Sequence, residues 1–312
     1  MKTNLHTIVV PVYNSRDTLE LLVDRVSRIM NDCQIQFELV LVDDGSDDGS
    51  FKEIRRLSKS NDVVRGVRLS RNFGHQAALV IGLEKSRGDF IAIMDDDLQD
   101  PPEMLPHFFR QLYEDVDVVY GIRRKRKENF IRKFFYAAFY RILRILSKIE
   151  IPLDAGDFCV MKRSVVDAML EFHESKPFLR GIRSWVGFKQ AGVEYQREPR
   201  LNEKSRYTMK KYFALAATGI LSFSYIPLRM ATIFGMMTAL IGFGFAAYVI
   251  WLWLIEPFEV PGYASLIVVV TFLGGIQLIS IGVLGEYIAR LSDNVRKSSV
   301  AVVAETTFEE SS

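Results

Sequence analysis

Cysteine is scarce in this sequence, since only Cys33 and Cys159 occur among 312 residues and no Cys-x-x-Cys is present. This usage indicates a reducing compartment, in which we expect both side chains to be ordinary core residues. The chain enters a strand pattern directly at its start, so no signal peptide is expected.

Glycine-rich nucleotide loops are also missing. No Gly-x-Gly-x-x-Gly follows the first predicted strand, and no Walker phosphate loop occurs in the chain. These absences exclude the two glycine-loop modes of phosphate binding. A nucleotide bound by this chain would therefore be held by a metal ion and by side chains.

Net charge is low, only +2, but the charges are unevenly distributed. Ten Lys or Arg and one acid lie between Arg123 and Lys148, whereas the last eight residues carry three acids. Two stretches carry no charge at all, 26 residues from Met230 to Ile255 and 23 from Tyr263 to Gly285. A chain of 312 residues is long enough for two domains.

The first half of the chain alternates apolar, strand-like segments with amphipathic helical ones. Strands are expected at 6–11, 37–42, 63–69, 90–94, 116–120 and 159–162. Helices are expected after Asn14 or Ser15, either of which can act as a cap, and again at 77–85 and 104–113. This rhythm predicts an α/β fold with a mostly parallel sheet and helices on both faces.

Three carboxylates, Asp95, Asp96 and Asp97, crowd the end of the predicted strand at 90–94, and Gln99 follows them. Ligands of open α/β sheets bind at this edge. Like charges so close together persist only where something positive neutralises them. Because Mg²⁺ and Mn²⁺ prefer carboxylate and carbonyl oxygens, the segment predicts a divalent-metal site. A solvated acidic turn is the alternative.

Four short motifs follow the predicted strands in order: Val10-Pro11-Val12-Tyr13-Asn14, Val42-Asp43-Asp44-Gly45-Ser46, Ser70-Arg71-Asn72-Phe73-Gly74 and Asp95-x-Asp97-Leu98-Gln99. Together they resemble family 2 glycosyltransferases of the GT-A fold. They look most like the polyprenyl-phosphate branch, which includes dolichol-phosphate mannose synthases and bactoprenol glucosyltransferases. Ser15 departs from the pattern, because the family usually has Glu after the Asn.

The resemblance implies a nucleotide-sugar site at the strand ends. The residues it places on the nucleotide are Pro11, Tyr13, Asn14, Asp43, Asp44, Arg71, Asp95 and Asp96. Taken singly, such residues could instead be a core aromatic, a helix cap or part of a solvated turn. The residues it places on Mg²⁺ or Mn²⁺ are Asp95, Asp97 and Gln99. The metal would neutralise the charge that develops as the nucleoside diphosphate leaves.

Asp97 and Asp157 are the expected catalytic residues. Asp157 lies in a short predicted turn, Ala155-Gly156-Asp157, before a strand that should run beside the metal strand. The resemblance implies that it lines the acceptor side, where it would orient the acceptor or sugar hydroxyls, or take a residual proton. A turn-capping Asp is the alternative.

Basic and aromatic residues are interleaved from Arg123 onward. Five basic residues at 123–127 precede 130–146, which contains four Phe and two Tyr. This is typical of a helix in a membrane interface, expected near 130–149, with nucleic-acid binding or an ordinary surface helix as alternatives. The polar loop at 198–207 resembles the family's active-site loop but lacks its Gly. The residues expected to bind a lipid phosphate are Arg123, Arg132, Tyr136, Arg200 and Arg206.

The two uncharged stretches are each long enough to cross a bilayer, at roughly 39 and 34 Å as helices. Their link carries two acids and no base, while basic residues flank the pair. The positive-inside rule then places both termini and the catalytic domain in the cytoplasm, with Trp251 and Trp253 near the far interface. We expect a multi-pass protein of the inner or plasma membrane, and a buried soluble hairpin is the alternative.

Four regions result from these patterns. A cytosolic GT-A domain, Rossmann-like with a mostly parallel sheet, is expected at 1–200, and the active-site loop with a juxtamembrane helix at 201–229. A hairpin of two transmembrane helices is expected at 230–285 and a cytoplasmic tail at 286–312.

The expected activity is inverting transfer of one sugar from a nucleotide-sugar to undecaprenyl or another polyprenyl phosphate, for later surface glycosylation. The 181–187 segment and the turn at Asp157 look closest to bactoprenol glucosyltransferases, which favours UDP-glucose over GDP-mannose or an aminoarabinose donor. A processive polysaccharide synthase is disfavoured, because Gln-x-x-Arg-Trp is missing. A non-catalytic, nucleotide-binding membrane adaptor is the remaining alternative. The expected partners are the donor, the lipid phosphate and membrane lipids, without nucleic acid, and a homo-oligomer, for which we favour a tetramer.

Overall fold

The computed structural model describes residues 4–123, 155–172, 177–197, 226–255, 262–295 and 300–309. These residues divide into two units. The first contains the eight strands described below, and the second contains two long helices.

One sheet organises the first unit. Its strands are β1 (His6–Val12), β2 (Phe37–Asp43), β3 (Val64–Leu69), β4 (Phe90–Ile93), β5 (Val118–Arg123), β6 (Ala155–Lys162), β7 (Gln190–Tyr195) and β8 (Val303–Thr306). They lie in the order β7-β5-β6-β4-β1-β2-β3-β8. The four central strands β4, β1, β2 and β3 are parallel to one another, and β5 is parallel to β7. Strand β6 is antiparallel to β4 and β5, and β8 to β3, so the α/β prediction is confirmed with a mixed, mostly parallel sheet.

Six α-helices and one short 3₁₀ helix, Pro102–Met104, accompany this sheet in the described part of the first unit. The α-helices are α1 (Arg16–Asp32), α2 (Ser50–Ser60), α3 (His75–Glu84), α4 (Leu105–Leu112), α5 (Arg163–Leu170) and α6 (Leu179–Trp185). Helix α1 buries Leu19, Leu22, Val26 and Met30, which recur at three- and four-residue spacing on one face. Every residue of β1 and β2 is buried, as expected for parallel strands covered on both faces.

Helix α3 packs closely on the central strands. Its residues from Ala77 to Leu83 are all buried. A Cβ added at Gly82 would lie 2.2 Å from Val9 Cγ1, so only glycine allows this approach of helix and strand. Since α3 begins at His75, this packing fixes the start of the helix at the carboxyl edge of the sheet.

Two local predictions are wrong, one at the start of β6 and one at Cys33. Residues Ala155, Gly156 and Asp157 are not a turn but the first residues of β6, because Ala155 pairs with Ile122 of β5. Ser15 is the N-cap residue of α1, as expected, but among the described residues its side chain makes no cap hydrogen bond, and its hydroxyl donates to the Tyr13 carbonyl at 3.2 Å. Cys33 is exposed at the end of α1, whereas Cys159 is buried as expected.

The end of the chain returns to the sheet, and the prediction of a separate tail at 286–312 therefore needs correction. Strand β8 pairs with β3, and the Thr307 amide donates to the Gly66 carbonyl at 2.9 Å. The Arg65 guanidinium lies 3.8 Å from the centre of the Phe308 ring. These contacts cover the edge of β3, which would otherwise present unpaired backbone groups.

The second unit contains helices α7 (Ile226–Ile255) and α8 (Tyr263–Val295). The two predicted helices are thus confirmed as helices. Among the described residues, one segment, Phe272–Ala289, is long and apolar enough to cross a membrane, and Ala231–Phe245 is a shorter apolar segment. That both helices cross the membrane stays a prediction.

Candidate functional site

Parallel pairing brings three strand ends to one edge of the sheet. The backbone amide of Tyr13, after β1, lies 3.4 Å from Asp96 Oδ2, after β4. Asn14, in the left-handed region at φ 52°, donates its amide to Ser46 Oγ at 3.0 Å, and its Oδ1 accepts from the Asp47 amide at 3.1 Å. The predicted convergence of these motifs therefore occurs, although Pro11 is buried inside β1 opposite Val42.

The second and third motifs interlock. Asp44 accepts from the amides of Phe73 and Gly74 at 2.7 and 2.9 Å. Gly45 has φ +67°, and a Cβ there would lie 2.5 Å from the Arg71 carbonyl carbon, so a side chain would separate the two segments. Arg71 itself stacks over Phe73 at 4.0 Å from the ring centre. Asp44 thus organises the loop that leads into α3.

Asp43 ends β2 with a buried carboxylate. Its Oδ1 accepts from the Ser46 amide at 3.3 Å, while Oδ2 has no hydrogen-bond partner among the described residues and lies 3.4 Å from Arg68 Nε. Burial raises the pKa of Asp43, and it also raises the pKa of Asp44. Since Oδ2 is buried, the Arg68 guanidinium beside it compensates its charge.

The acidic segment folds back on itself after β4. Leu98 is buried with φ 55°, and the Gln99 amide donates to Asp97 Oδ1 at 3.1 Å. Burial, reinforced by neighbouring carboxylates, raises the pKa of Asp95 to about 7. Burial also raises the pKa of Asp96. Within the part of the chain that the structure describes, Asp95 Oδ1 has no hydrogen-bond partner, so this carboxylate needs a positive neighbour.

Arg197 supplies that neighbour, and the sequence analysis missed it. Its Nη2 lies 3.7 Å from Asp95 Oδ2 and 3.9 Å from Asp97 Oδ2. Its Nε donates to Asp100 Oδ1 at 3.2 Å. Asp100, which is buried, also accepts from the Tyr195 hydroxyl at 2.5 Å. The mutual repulsion of the three aspartates was the available signal, but it was assigned to a metal alone.

Asp157 lies across the site from the acidic segment. The register Ile93↔Cys159 of β4 and β6, continued by two residues, sets Asp157 opposite Asp95. Arg180 of α6 donates to both Asp157 oxygens, Nε to Oδ1 at 2.7 Å and Nη2 to Oδ2 at 3.0 Å. Burial opposes ionisation of Asp157, but Arg180 and His75 outweigh it and hold the pKa of this carboxyl well below its usual range.

His75 connects the two sides of the site. Its Nε2 is 3.5 Å from Asp157 Oδ2 and 3.7 Å from Asp95 Oδ1. Burial alone would lower the pKa of His75, but the two carboxylates prevail and raise it. Neither His75 nor Arg180 was predicted as a site residue. The position of His75, directly after the Arg71–Gly74 motif, was the only signal for it.

The donor set fits a divalent metal in part. In the described ranges, no three His, Cys, Asp or Glu side chains are grouped so as to hold a metal ion. Asp95 Oδ2 and Asp97 Oδ2 nevertheless converge on Arg197 Nη2, and Asp95 Oδ1 has no hydrogen bond to any residue that the structure describes. Two carboxylates completed by substrate phosphates are a usual arrangement for Mg²⁺. The Gln99 amide supports Asp97 through its backbone.

The predicted lipid-phosphate residues are mostly outside the described part of the chain. Arg132, Tyr136, Arg200 and Arg206 lie there, as does the interfacial helix predicted near 130–149. Arg123 is the last residue of β5, where its backbone pairs with Tyr195. These assignments stay predictions.

The sequence is similar to known protein families and to individual glycosyltransferases. Residues 7–170 match the profile of glycosyl transferase family 2, and residues 226–291 match that of the GtrB C-terminal hairpin. A Bacillus subtilis protein described as an uncharacterized glycosyltransferase is 40% identical over 299 residues, covering 96% of this chain and 93% of the relative. An Escherichia coli protein described as a prophage bactoprenol glucosyl transferase homolog is 36% identical over 292 residues, covering 93% and 95%.

Among solved structures, a mannosyltransferase of Pyrobaculum calidifontis in complex with GDP-Man and Mn²⁺ is similar, with a TM-score of 0.51 and 16% identity over 91% of this chain and 86% of that one. At this identity the likeness concerns the fold, which is the GT-A-like arrangement expected from the motifs. The resemblance noted in the sequence is confirmed: the chain belongs to glycosyl transferase family 2 and carries the C-terminal hairpin of the GtrB type.

Proposed function

We propose that this glycosyltransferase moves one glucose from UDP-glucose to a polyprenyl phosphate at the cytoplasmic face of a membrane. The proposal rests on two sets of charged side chains that face each other at one edge of the sheet. Asp95 and Asp97 form one of them, and the Asp157–Arg180 ion pair forms the other, with His75 between them. Relatives described as bactoprenol glucosyl transferases support the choice of sugar and lipid.

The donor would bind on the side of β1 and β2. Asp43, at the end of β2, would accept from the base or ribose, and Asn14 and Tyr13 would line the same edge. Asp95 and Asp97 would hold Mg²⁺ or Mn²⁺ against the diphosphate, and Gln99 keeps Asp97 in place. A bound divalent ion would supply the positive charge that stabilises the departing nucleoside diphosphate.

The acceptor would approach from the side of β6. A phosphate monoester is already anionic near neutral pH, so its oxygen can attack the anomeric carbon without a strong base, from the face opposite the diphosphate, with inversion. Asp157 suits this role as an orienting group, because a carboxyl with a lowered pKa stays ionised and takes up protons poorly. The cations Arg180 and His75 beside it would attract the anionic acceptor.

The helical unit would hold the enzyme at the lipid. Large apolar side chains are exposed along both helices, including Ile241 at 72%, Phe243 at 76% and Leu278 at 71%. Such continuous apolar surface needs a membrane or a protein partner. We propose that both helices cross the bilayer with the catalytic domain and both termini in the cytoplasm, and that the chain forms a homo-oligomer through them.

A donor screen tests the proposal directly. The full chain in detergent is incubated with undecaprenyl phosphate, Mg²⁺ or Mn²⁺ and radiolabelled UDP-glucose, GDP-mannose or a UDP-aminoarabinose derivative, and the lipid product is isolated. We expect label in the lipid only with UDP-glucose. Transfer from another donor would correct the sugar alone. Donor binding without any lipid product from any donor would favour the non-catalytic adaptor and overturn the proposal.

A further inference from the structure

Two nitrogens of the Arg197 guanidinium have different surroundings, Nε at its inner end and Nη2 at its outer end. At the inner end, Nε donates to Asp100 at 3.2 Å, and Asp100 is fixed in turn by the Tyr195 hydroxyl at 2.5 Å. At the outer end, Nη2 lies 3.7 and 3.9 Å from Asp95 and Asp97, beyond hydrogen-bond distance. One end of the guanidinium is therefore anchored, while the other is held by charge alone.

The anchor itself is rigid. Asp100 is 1% exposed, and the Tyr195 ring is buried against Phe158 with 5.5 Å between ring centres. Gly121 leaves room for that ring, since a Cβ there would lie 2.5 Å from Tyr195 Cε1. Because the guanidinium is a rigid plane, a small turn about the Cδ–Nε bond swings Nη2 while Nε keeps its place beside Asp100.

The outer end lies beside the oxygens that the proposed metal needs. A divalent ion and Nη2 would compete for Asp95 Oδ2 and Asp97 Oδ2, because two cations drawn to the same two oxygens repel each other. The metal would therefore displace Nη2 or bind weakly. Once displaced, a guanidinium tethered to Asp100 would lie near the diphosphate that accompanies the metal, and phosphate oxygens are strong acceptors for it.

We propose that Arg197 is a positioning residue that exchanges partners: its outer end neutralises Asp95 and Asp97 in the empty enzyme and turns to the donor diphosphate when the metal arrives. This inference rests on the proposed function, since it assumes a metal-bound diphosphate at this edge. It couples the two ligands, because the metal releases the group that the diphosphate then uses.

The exchange predicts opposite effects on two affinities. Arg197→Gln removes a competitor of the metal, so the donor-free protein should bind Mn²⁺ about fivefold more tightly. The same variant lacks the cation that meets the diphosphate, so UDP should bind about tenfold more weakly at saturating Mn²⁺. A merely structural Arg197 would weaken both affinities when replaced, and a residue that only binds phosphate would leave Mn²⁺ affinity unchanged.

The test uses the full chain in detergent and needs no turnover. Mn²⁺ binding is followed by electron paramagnetic resonance, and UDP binding by calorimetry at saturating Mn²⁺. Arg56→Gln is the matched control, because Arg56 Nη2 also bridges two carboxylates, Glu20 at 2.7 Å and Glu53 at 2.6 Å, away from the site. If Arg197→Gln fails to fold, Arg197→Met takes its place, with shifts of the same signs, because its side chain is of similar length and also carries no charge.

The results separate the inference from the function on which it rests. Tighter Mn²⁺ and weaker UDP binding in the Arg197 variant, with Arg56→Gln unchanged, would support the exchange. Unchanged or weaker Mn²⁺ binding, in a background where the natural chain binds both ligands, would overturn the exchange alone. A natural chain that binds no UDP in the presence of Mn²⁺ would overturn the proposed function, and the exchange with it.

Discussion

Asp157 and Arg180 form a bidentate ion pair in which both carboxylate oxygens accept from one guanidinium, at 2.7 and 3.0 Å. The pair joins the start of β6 to α6, 23 residues later in the chain. Burial alone would raise the pKa of Asp157, but the pair and His75 keep it well below the ordinary value. A carboxylate held this way is poorly suited to removing protons and well suited to fixing the direction of neighbouring groups.

The first prediction concerns the charge of Asp157. Asp157→Asn keeps the size of the side chain but leaves Arg180 without its counter-charge, so we expect transfer to fall by about 100-fold or more. UDP-sugar binding should change little, since the proposed donor contacts lie at the ends of β1, β2 and β4 and do not include Asp157. Activity assays and binding titrations on the same preparation check both expectations.

Asp167→Asn is the matched control for this variant. Asp167 is 61% exposed and pairs with Arg163 at 3.8 Å on α5, so its loss should leave transfer unchanged. Turnover of Asp157→Asn within a few-fold of the natural chain, from about pH 6 to about pH 8, would make Asp157 a structural residue.

The second prediction concerns Asp97. Asp97→Ala removes a proposed metal ligand, and transfer should be abolished, as it should be by EDTA. The fold should survive, because the bond from the Gln99 amide is worth about 1 kcal/mol and the ion pair with Arg197 is long, at 3.9 Å. Activity with and without chelator, together with the melting temperature, measures this. Asp24→Ala, which removes an exposed carboxylate from α1, is the control, and full activity in EDTA would rule out the metal.

The central strands could be predicted from the sequence pattern alone. Strands β1, β2 and β4 are apolar runs with polar residues at their ends, because parallel strands are buried on both faces and ligands bind where they end. Strand β8 could not be predicted. It has four residues, Val303–Thr306, and its conformation depends on pairing with β3, more than 200 residues earlier.

The acidic half of the site was predictable for the same reason, since Asp43 and Asp95–Asp97 follow strands directly. The basic half was not. Arg197 meets Asp100 across 97 residues, and Arg180 meets Asp157 across 23, so no local spacing marks either pair. The repulsion among the aspartates predicts that some cation is present, but it does not identify which one.

The third prediction concerns the lipid phosphate. Arg123→Ala and Arg132→Ala should each raise the KM for undecaprenyl phosphate about fivefold, since one cation near an anionic surface contributes about 1 kcal/mol. The KM for the UDP-sugar should change less. Steady-state kinetics with each substrate varied in turn measures the split, with Arg28→Ala on the exposed face of α1 as control. A change confined to the UDP-sugar would assign these arginines to the donor.

The last prediction concerns a buried carboxylate away from the site. Glu38 of β2 is 2% exposed, and its oxygens accept from the Thr7 hydroxyl at 2.7 Å, Arg87 Nε at 2.9 Å and Arg65 Nη1 at 3.0 Å. Burial alone would raise the pKa of Glu38, but these bonds, with one from the Arg87 amide, lower it. Its contribution to stability is therefore present above the unfolded pKa and is lost as the pH falls through the lower folded pKa.

Glu38→Gln should therefore reduce stability near pH 7 by on the order of 2–4 kcal/mol, because two arginines lose their counter-charge. The difference from the natural chain should be smaller at a second, acidic pH, because the natural Glu38 loses its charge as the pH falls through its lowered folded pKa. Melting temperatures of the full chain in detergent at both pH values measure this. Glu103→Gln, which breaks the more exposed pair with Arg25, is the control. An equal difference at both pH values would contradict the argument, since the loss would then arise from packing and not from the charge of Glu38.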